Sequence, residues 1–140
     1  MIVSEIMTTE VITAGMDDTL GGIKKVLELH KCHHIPIVED DKLMGIVSDR
    51  DILKGLSPTA DLTIADNRAL KTLKKKAHQI MTRHVTTISA ADTIERAVAI
   101  FLEMNFSCLP VLGQSGELLG IVTKTDLLER LVVESAAVGA

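Results

Sequence analysis

The 140-residue sequence predicts an α+β fold made of two β-α-β-β-α units. Three observations predict it. The sequence repeats itself. Its apolar residues switch between helical spacing and short β-branched runs that contain prolines. Its interior has to be aliphatic: 46% of residues are apolar, but Phe101 and Phe106 are the only aromatics.

The repeat organises everything else. Ile6 to Leu20, IMTTEVITAGMDDTL, aligns without a gap on Ile80 to Ile94, IMTRHVTTISAADTI. HHIPIV, His33 to Val38, lies over SCLPVL, Ser107 to Leu112, with Pro36 over Pro110. One inserted residue in GQSGE restores the register, and LMGIVSDRDIL then matches LLGIVTKTDLL.

The elements follow in chain order. Val11 to Thr13 and Val85 to Ile88 read as brief extended segments. Asp18 and Asp92 are N-cap residue types, and Asp92-Thr-Ile-Glu95 has the spacing of a capping box. Helices then run to about Lys31 and Asn105; in the second, Ile94, Ala97, Val98, Phe101, Leu102 and Met104 recur at helical spacing. Gly21 and Gly22 weaken the first helix by about 1 kcal/mol each relative to alanine. A close packing partner would account for them. Pro36 and Pro110 require extended backbone before them and sit near the starts of short apolar strands. EDDK and GQSGE are polar turns, LMGIVS and LLGIVT are returning strands, and DRDILKGL and KTDLLERLVVES are closing helices.

A unit of about 50 residues buries little core alone, so the two are expected to pack face to face about a pseudo-twofold axis. The boundaries are residues 1–56 for the first motif, 57–76 for a connector and 77–140 for the second motif. Ser57 to Ala65 reads as a loop. DNRALKTLKKKAHQIM reads as one helix with Leu70, Leu73, Ala77 and Ile80 on one side.

Composition excludes several classes. The formal net charge is −4, and no aromatic platform is present for stacking bases, so a general nucleic-acid binder is excluded. Lys71, Lys74, Lys75 and Lys76 read as a solvated helix face. Cys32 and Cys108 occupy nearly matching places in the two halves and make no Cys-x-x-Cys pair, which suits reduced thiols in a cytoplasmic protein. No apolar run reaches the roughly 18–20 residues needed to cross a bilayer, and no leader pattern opens the chain. His30, Cys32, His33 and His34 crowd together, but Pro36 ends the helix that would align them, and Met104, Phe106, Ser107 and Cys108 replace them in the second half. They read as polar loop residues rather than metal ligands. No catalytic triad, P-loop or Gly-x-Gly-x-x-Gly run is present, so an enzyme is not expected.

The chemistry rests on the repeated Gly-Ile-Val-hydroxyl-x-x-Asp. Ser48-x-x-Asp51 and Thr123-x-x-Asp126 fit a helix-start signature, and capping alone explains that spacing. The same residue types also suit a ribonucleotide. A carboxylate accepts from a vicinal diol, while a hydroxyl beside a helix start, with Arg50 and Lys54 nearby, faces phosphate. The second copy has Lys124 and Thr125 instead, so the two places are chemically unequal.

The whole order is apolar-Met-Thr, extended Val-x-Thr, amphipathic helix, apolar-Pro-apolar and Gly-Ile-Val-[Ser/Thr]-x-x-Asp-apolar-Leu. It resembles a cystathionine-β-synthase (CBS) domain, and two in tandem resemble a Bateman module. The resemblance covers about Val3 to Leu56 and Ala77 to Leu131. It implies a stand-alone regulatory, signal-transduction module that binds AMP, ADP, ATP or S-adenosylmethionine in clefts between the motifs. Carried over by position, Asp51 and Asp126 accept from ribose; Ser48, Thr123 and Arg50 face phosphates. Ile12-Thr13 and Thr87-Ile88 line the base pocket, Ile35-Pro36 and Leu109-Pro110 form its apolar wall, and His34 and Cys108 lie beside it. The resemblance also implies a homodimer that contacts a protein partner. The alternative is a constitutive dimerisation module in which the aspartates only cap helices.

Overall fold

The structure is a computed structural model that describes residues 1–55 and 70–139. The connector loop expected at Ser57 to Ala65 lies outside the described residues. A 3-10 turn, Val3–Glu5, precedes β1 (Ala14–Gly15), α1 (Leu20–His30), β2 (His34–Glu39), β3 (Lys42–Ser48) and α2 (Asp49–Gly55). Then follow α3 (Ala77–Ile80), β4 (Ile88–Ser89), α4 (Ile94–Met104), β5 (Cys108–Leu112), β6 (Leu118–Thr123) and α5 (Lys124–Gly139). The α+β reading holds: there are two three-stranded sheets, ordered β1-β2-β3 and β4-β5-β6. In each, the first pair is parallel and the second antiparallel.

The first strands are shorter and later than the β-branched runs suggested. Val11 to Thr13 has no ladder, because parallel pairing starts where Ala14 meets Ile37; in the second half it starts where Ile88 meets Val111. The helix caps are also displaced by one residue. Thr19 and Thr93, not Asp18 and Asp92, are the N-caps, their hydroxyls accepting from the N–H groups of Gly22 and Arg96 at 3.2 Å. The two aspartates instead accept from the N–H groups of Gly15 and Ser89, at 2.7 and 2.9 Å, and close the turn that leaves each short strand. Each helix ends at a left-handed residue, Lys31 or Asn105, as the sequence placed them.

In the β2–β3 hairpin, Asp40 and Asp41 both take positive φ (51° and 65°), the combination a two-residue hairpin needs. The prolines fit for a related reason. Pro36 lies opposite Ile46, whose N–H and C=O bond outward to Thr82 at 3.0 and 2.9 Å, so β3 asks for no donor from the proline nitrogen. Pro110 lies opposite Ile121, which pairs outward with Thr8 in the same way at 2.9 and 2.8 Å.

Those outward pairs cross between the sequence repeats. Residues Met1–Val11 pack with Thr86–Ala140 as one compact unit, and Ile12–Val85 form the other. The Ile-Met-Thr of one repeat thus lies along the Gly-Ile-Val strand of the other. The repeated glycine makes that approach possible: a Cβ on Gly45 would stand 2.8 Å from the Thr82 carbonyl oxygen, and one on Gly120 would stand 2.6 Å from that of Thr8. Within the unit of residues 12–85 the core gathers Leu20, Ile23, Leu27, Ile35, Ile37, Val47, Ile52, Ala77 and Met81. In the other unit it gathers Val3, Ile88, Ala97, Phe101, Leu109, Val111 and Val122. Of the helically spaced apolar residues on α4, Ala97 and Phe101 are buried, whereas Val98, Leu102 and Met104 are exposed.

The helix expected through DNRALKTLKKKAHQIM is not continuous. Residues 70–74 are helical, but Lys76 is extended (φ −88°, ψ 154°) and bridges to Thr19 before α3 begins. Tertiary pairing overrides helix propensity there: Leu20 donates to the Lys75 carbonyl at 2.9 Å, and Ala77 to that of Asp18 at 2.8 Å. The segment also supplies the packing partner of Gly21, where a Cβ would meet the Leu73 carbonyl oxygen at 3.3 Å.

Candidate functional site

At the end of each long hairpin, the sequence runs from strand to helix through the repeated hydroxyl and carboxylate. Ser48 closes β3 opposite His34, and Thr123 closes β6 opposite Cys108. Both corners form reciprocal boxes. The Ser48 N–H donates to Asp51 Oδ2 at 2.9 Å, and the Asp51 N–H donates to Ser48 Oγ at 3.1 Å. The Thr123 N–H donates to Asp126 Oδ2 at 2.9 Å, and the Asp126 N–H donates to Thr123 Oγ1 at 3.1 Å. The capping role is therefore real at both places. It occupies one carboxylate oxygen, and a carboxylate has about four acceptor sites.

The surroundings of the corners differ. At the first, the Asp49 N–H donates to the His33 carbonyl at 2.9 Å, and the His33 ring lies 2.8 Å from the Asp49 carboxylate. That hydrogen bond holds the Asp49 carboxyl below its usual range. His34 is half-buried; burial pushes its imidazole down, Asp49 and Asp51 oppose that shift, and His33 and Arg50 add to it. Arg50 is exposed. At the second corner, burial and then the Asp126 charge push the Cys108 thiol up to about 11, so it stays protonated and poorly nucleophilic at neutral pH. Asp126 takes a further bond from a residue that sequence reasoning missed, Thr8, whose Oγ1 lies 3.2 Å from Oδ1.

Two cavities lie near the first strands. One, of about 300 Å³, is lined by Thr13, Asp18, Thr19, Gly22 and Ile35 among others. The other, of about 320 Å³, is lined by Thr87, Ile88, Asp92, Leu112 and Gln114 among others. Both are at the small end for ligand pockets. Thr13 with Ile35, and Thr87 with Ile88, are thus brought together, but Ser48, Asp51, Thr123 and Asp126 line neither cavity. Ile12 packs against the core of its unit. Ile35, Leu109, Pro36 and Pro110 are fully buried, so the apolar wall expected of them is packed within each unit. Among the described residues, no three His, Cys, Asp or Glu converge as metal ligands, and no helix is long and apolar enough to cross a membrane.

The His34 shift gives a pH prediction. Its folded pKa is depressed, so the unfolded chain binds the proton more tightly and stability rises with pH. The contribution is complete above the unfolded histidine value, about 6.5, and is lost as pH falls toward the folded value. Urea midpoints at pH 5.5 and 7.5 should differ less in His34→Gln than in the parent; equal differences would remove His34 as the source.

Known proteins share this fold. The chain matches the CBS domain over residues 3–58 and 77–133. It is 30% identical to a CBS domain-containing protein of Dictyostelium discoideum, covering 94% of this chain and 92% of that one. It is 28% identical to inosine-5'-monophosphate dehydrogenase of Methanocaldococcus jannaschii over 95% of this chain, yet it spans only 24% of that enzyme. Among solved structures, CBSX2 in complex with AMP superposes with a TM-score of 0.81 at 24% identity, covering 96% and 98% of the two chains. The CBS domain pair of protein MJ0100, in complex with 5'-methylthioadenosine and S-adenosyl-L-methionine, does so at 0.76 and 28% identity, with the same coverage. The likeness is to CBS regions, which are regulatory rather than catalytic. The two matched segments take in both hairpins, both boxes and both Ile-Met-Thr runs, and the chain belongs to the CBS-domain family, with two such domains in tandem as in a Bateman module.

Proposed function

We propose that this CBS pair is a regulatory module that binds an adenosine-type ligand (AMP, ADP, ATP or S-adenosylmethionine) at its two strand-to-helix corners. The observation that carries the reading is the shared corner geometry. Each aspartate is locked by its own main chain through Oδ2, which orients the carboxylate before a ligand arrives and leaves acceptor capacity for a sugar diol. The likeness to the MJ0100 pair, solved in complex with 5'-methylthioadenosine and S-adenosyl-L-methionine, supports the choice of ligand class. In this reading Ser48 and Arg50, and Thr123 at the second corner, face the 5' substituent. Thr13 and Thr87 lie toward the base. His34 and Cys108 differentiate the two places. Ligand binding regulates by favouring one arrangement of a homodimer or of a protein partner, which requires different affinities in the two arrangements.

A second reading has an observation in its favour. Both boxes are closed entirely by the chain's own N–H groups, hydroxyls and carboxylates, as a constitutive dimerisation module would need. Calorimetric and thermal-shift titrations with adenosine ligands and guanosine controls separate the two. At 100 times its dissociation constant, a bound ligand stabilises by about 2.7 kcal/mol. Stabilisation by adenosine ligands and not by guanosine ligands is expected; no shift with any nucleotide would favour the module without ligand.

A further inference from the structure

Thr8 and Thr82 are counterparts in the repeat and make the same backbone pairing, Thr8 with Ile121 and Thr82 with Ile46. Their side chains do not behave alike. Thr8 Oγ1 donates toward the Asp126 carboxylate, 3.2 Å from Oδ1 and 3.4 Å from Oδ2. Among the described residues, Thr82 makes no such bond to Asp51, whose carboxylate is engaged only by the Ser48 N–H. One carboxylate therefore already carries a hydroxyl donor from its own chain, and among the described residues the other does not.

We propose that Thr8 is an affinity-determining residue for the second corner: its hydroxyl stands where a sugar hydroxyl would donate, and a ligand at Asp126 has to displace it. This rests on the ribose reading given above. The contact is long for an O–H···O bond, whose usual length is about 2.7–2.8 Å, so it is weak enough to yield. A turn of one side-chain torsion releases it while the backbone bonds of Thr8 to Ile121 remain. The donor comes from a segment 118 residues away in sequence from its acceptor, held to this unit by further backbone bonds from Val3 to Asp92 and Ser4 to Ala90. The hydroxyl is therefore presented at a fixed position rather than on a free tail. It adds to the difference already made by Arg50, whose counterpart is Thr125, but it is a separate effect because it acts on the sugar and not on the 5' group.

The test uses adenosine itself, which lacks phosphate and so removes the Arg50 difference. Asp51→Asn serves as background, to isolate the second corner. Thr8→Val keeps the shape and branching of the side chain and deletes the donor; Thr8→Ser keeps the donor. Calorimetric titration should show Thr8→Val binding adenosine about fivefold more tightly than its background, the order expected for removing one competing hydrogen bond, with Thr8→Ser near the background. Unchanged or weaker binding in Thr8→Val, with adenosine still bound by the background, would overturn the role of Thr8 alone. Absence of adenosine binding in the wild type and in every variant would overturn the ribose reading and this inference with it.

Discussion

Gly120→Ala and Gly45→Ala should each lower stability by about 2–3 kcal/mol, the upper part of the range for forcing extra volume into a packed site. The new methyl group would lie 2.6 or 2.8 Å from a backbone carbonyl oxygen of the crossing segment. Backbone cannot swing aside as a side chain can, and moving it breaks the outward pairs of Ile121 with Thr8 or Ile46 with Thr82. Met7 and Met81 also press on these positions, with sulfur atoms 3.1 and 2.7 Å from the added carbon, but a thioether has the freedom to repack. Gly22→Ala is the contrasting case. There the nearest atom is the capping Thr19 Oγ1 at 3.4 Å, an ordinary contact, and alanine restricts the unfolded chain, so a gain of roughly 0.5 kcal/mol is expected. Chemical denaturation of the three variants checks both signs; equal small effects at Gly45, Gly120 and Gly22 would show that the crossing segments are not seated as described.

The second large effect concerns the carboxylates. Asp51→Asn should weaken adenosine-ligand binding at its corner by about 10- to 100-fold while costing less than about 1 kcal/mol of stability. The asparagine carbonyl still accepts from the Ser48 N–H, so the box survives. What is lost is the remaining acceptor capacity, replaced by an amide donor that faces the donor hydroxyls of the sugar. Hydrogen bonds to charged acceptors contribute about 1.5–3 kcal/mol, which sets the fold-change. The stability cost is limited to the interaction of the charge with the helix start, about 0.3–1 kcal/mol. Asp51→Ala would remove both functions at once and cannot distinguish them. Titration and urea denaturation on Asp51→Asn together make the separation; a loss of stability with ligand affinity intact would reduce Asp51 to a cap.

Much of this architecture is legible in the sequence because a duplication writes each signal twice. The hairpins around Pro36 and Pro110 and the boxes at Ser48-Asp51 and Thr123-Asp126 follow from local chemistry, and local chemistry is visible in a short window. The misplacements have physical causes of another kind. Asp18 and Thr19 are both good caps, and the contest is settled by the Gly15 N–H, which takes the aspartate and leaves the threonine to the helix. Lys75 and Lys76 favour helix, but the backbone of Leu20 and the bridge to Thr19 draw them into extended pairing. The crossed placement of the Ile-Met-Thr runs is hidden by the repeat itself, since either glycine strand fits either run by pattern. Thr8 escapes notice for the same reason: nothing near it in sequence announces an acceptor as distant as Asp126.

The central claim is that two main-chain-locked carboxylates receive the sugar of an adenosine ligand. Removing the diol from the ligand tests it more directly than removing the carboxylate from the protein. Calorimetric titration of the wild type with AMP and with its 2',3'-dideoxy counterpart makes the comparison under identical conditions. The dideoxy ligand should bind at least about tenfold more weakly, since two hydroxyl-to-carboxylate bonds are lost. Equal affinity for the two ligands would contradict the account, because the sugar would then be held by something other than Asp51 and Asp126.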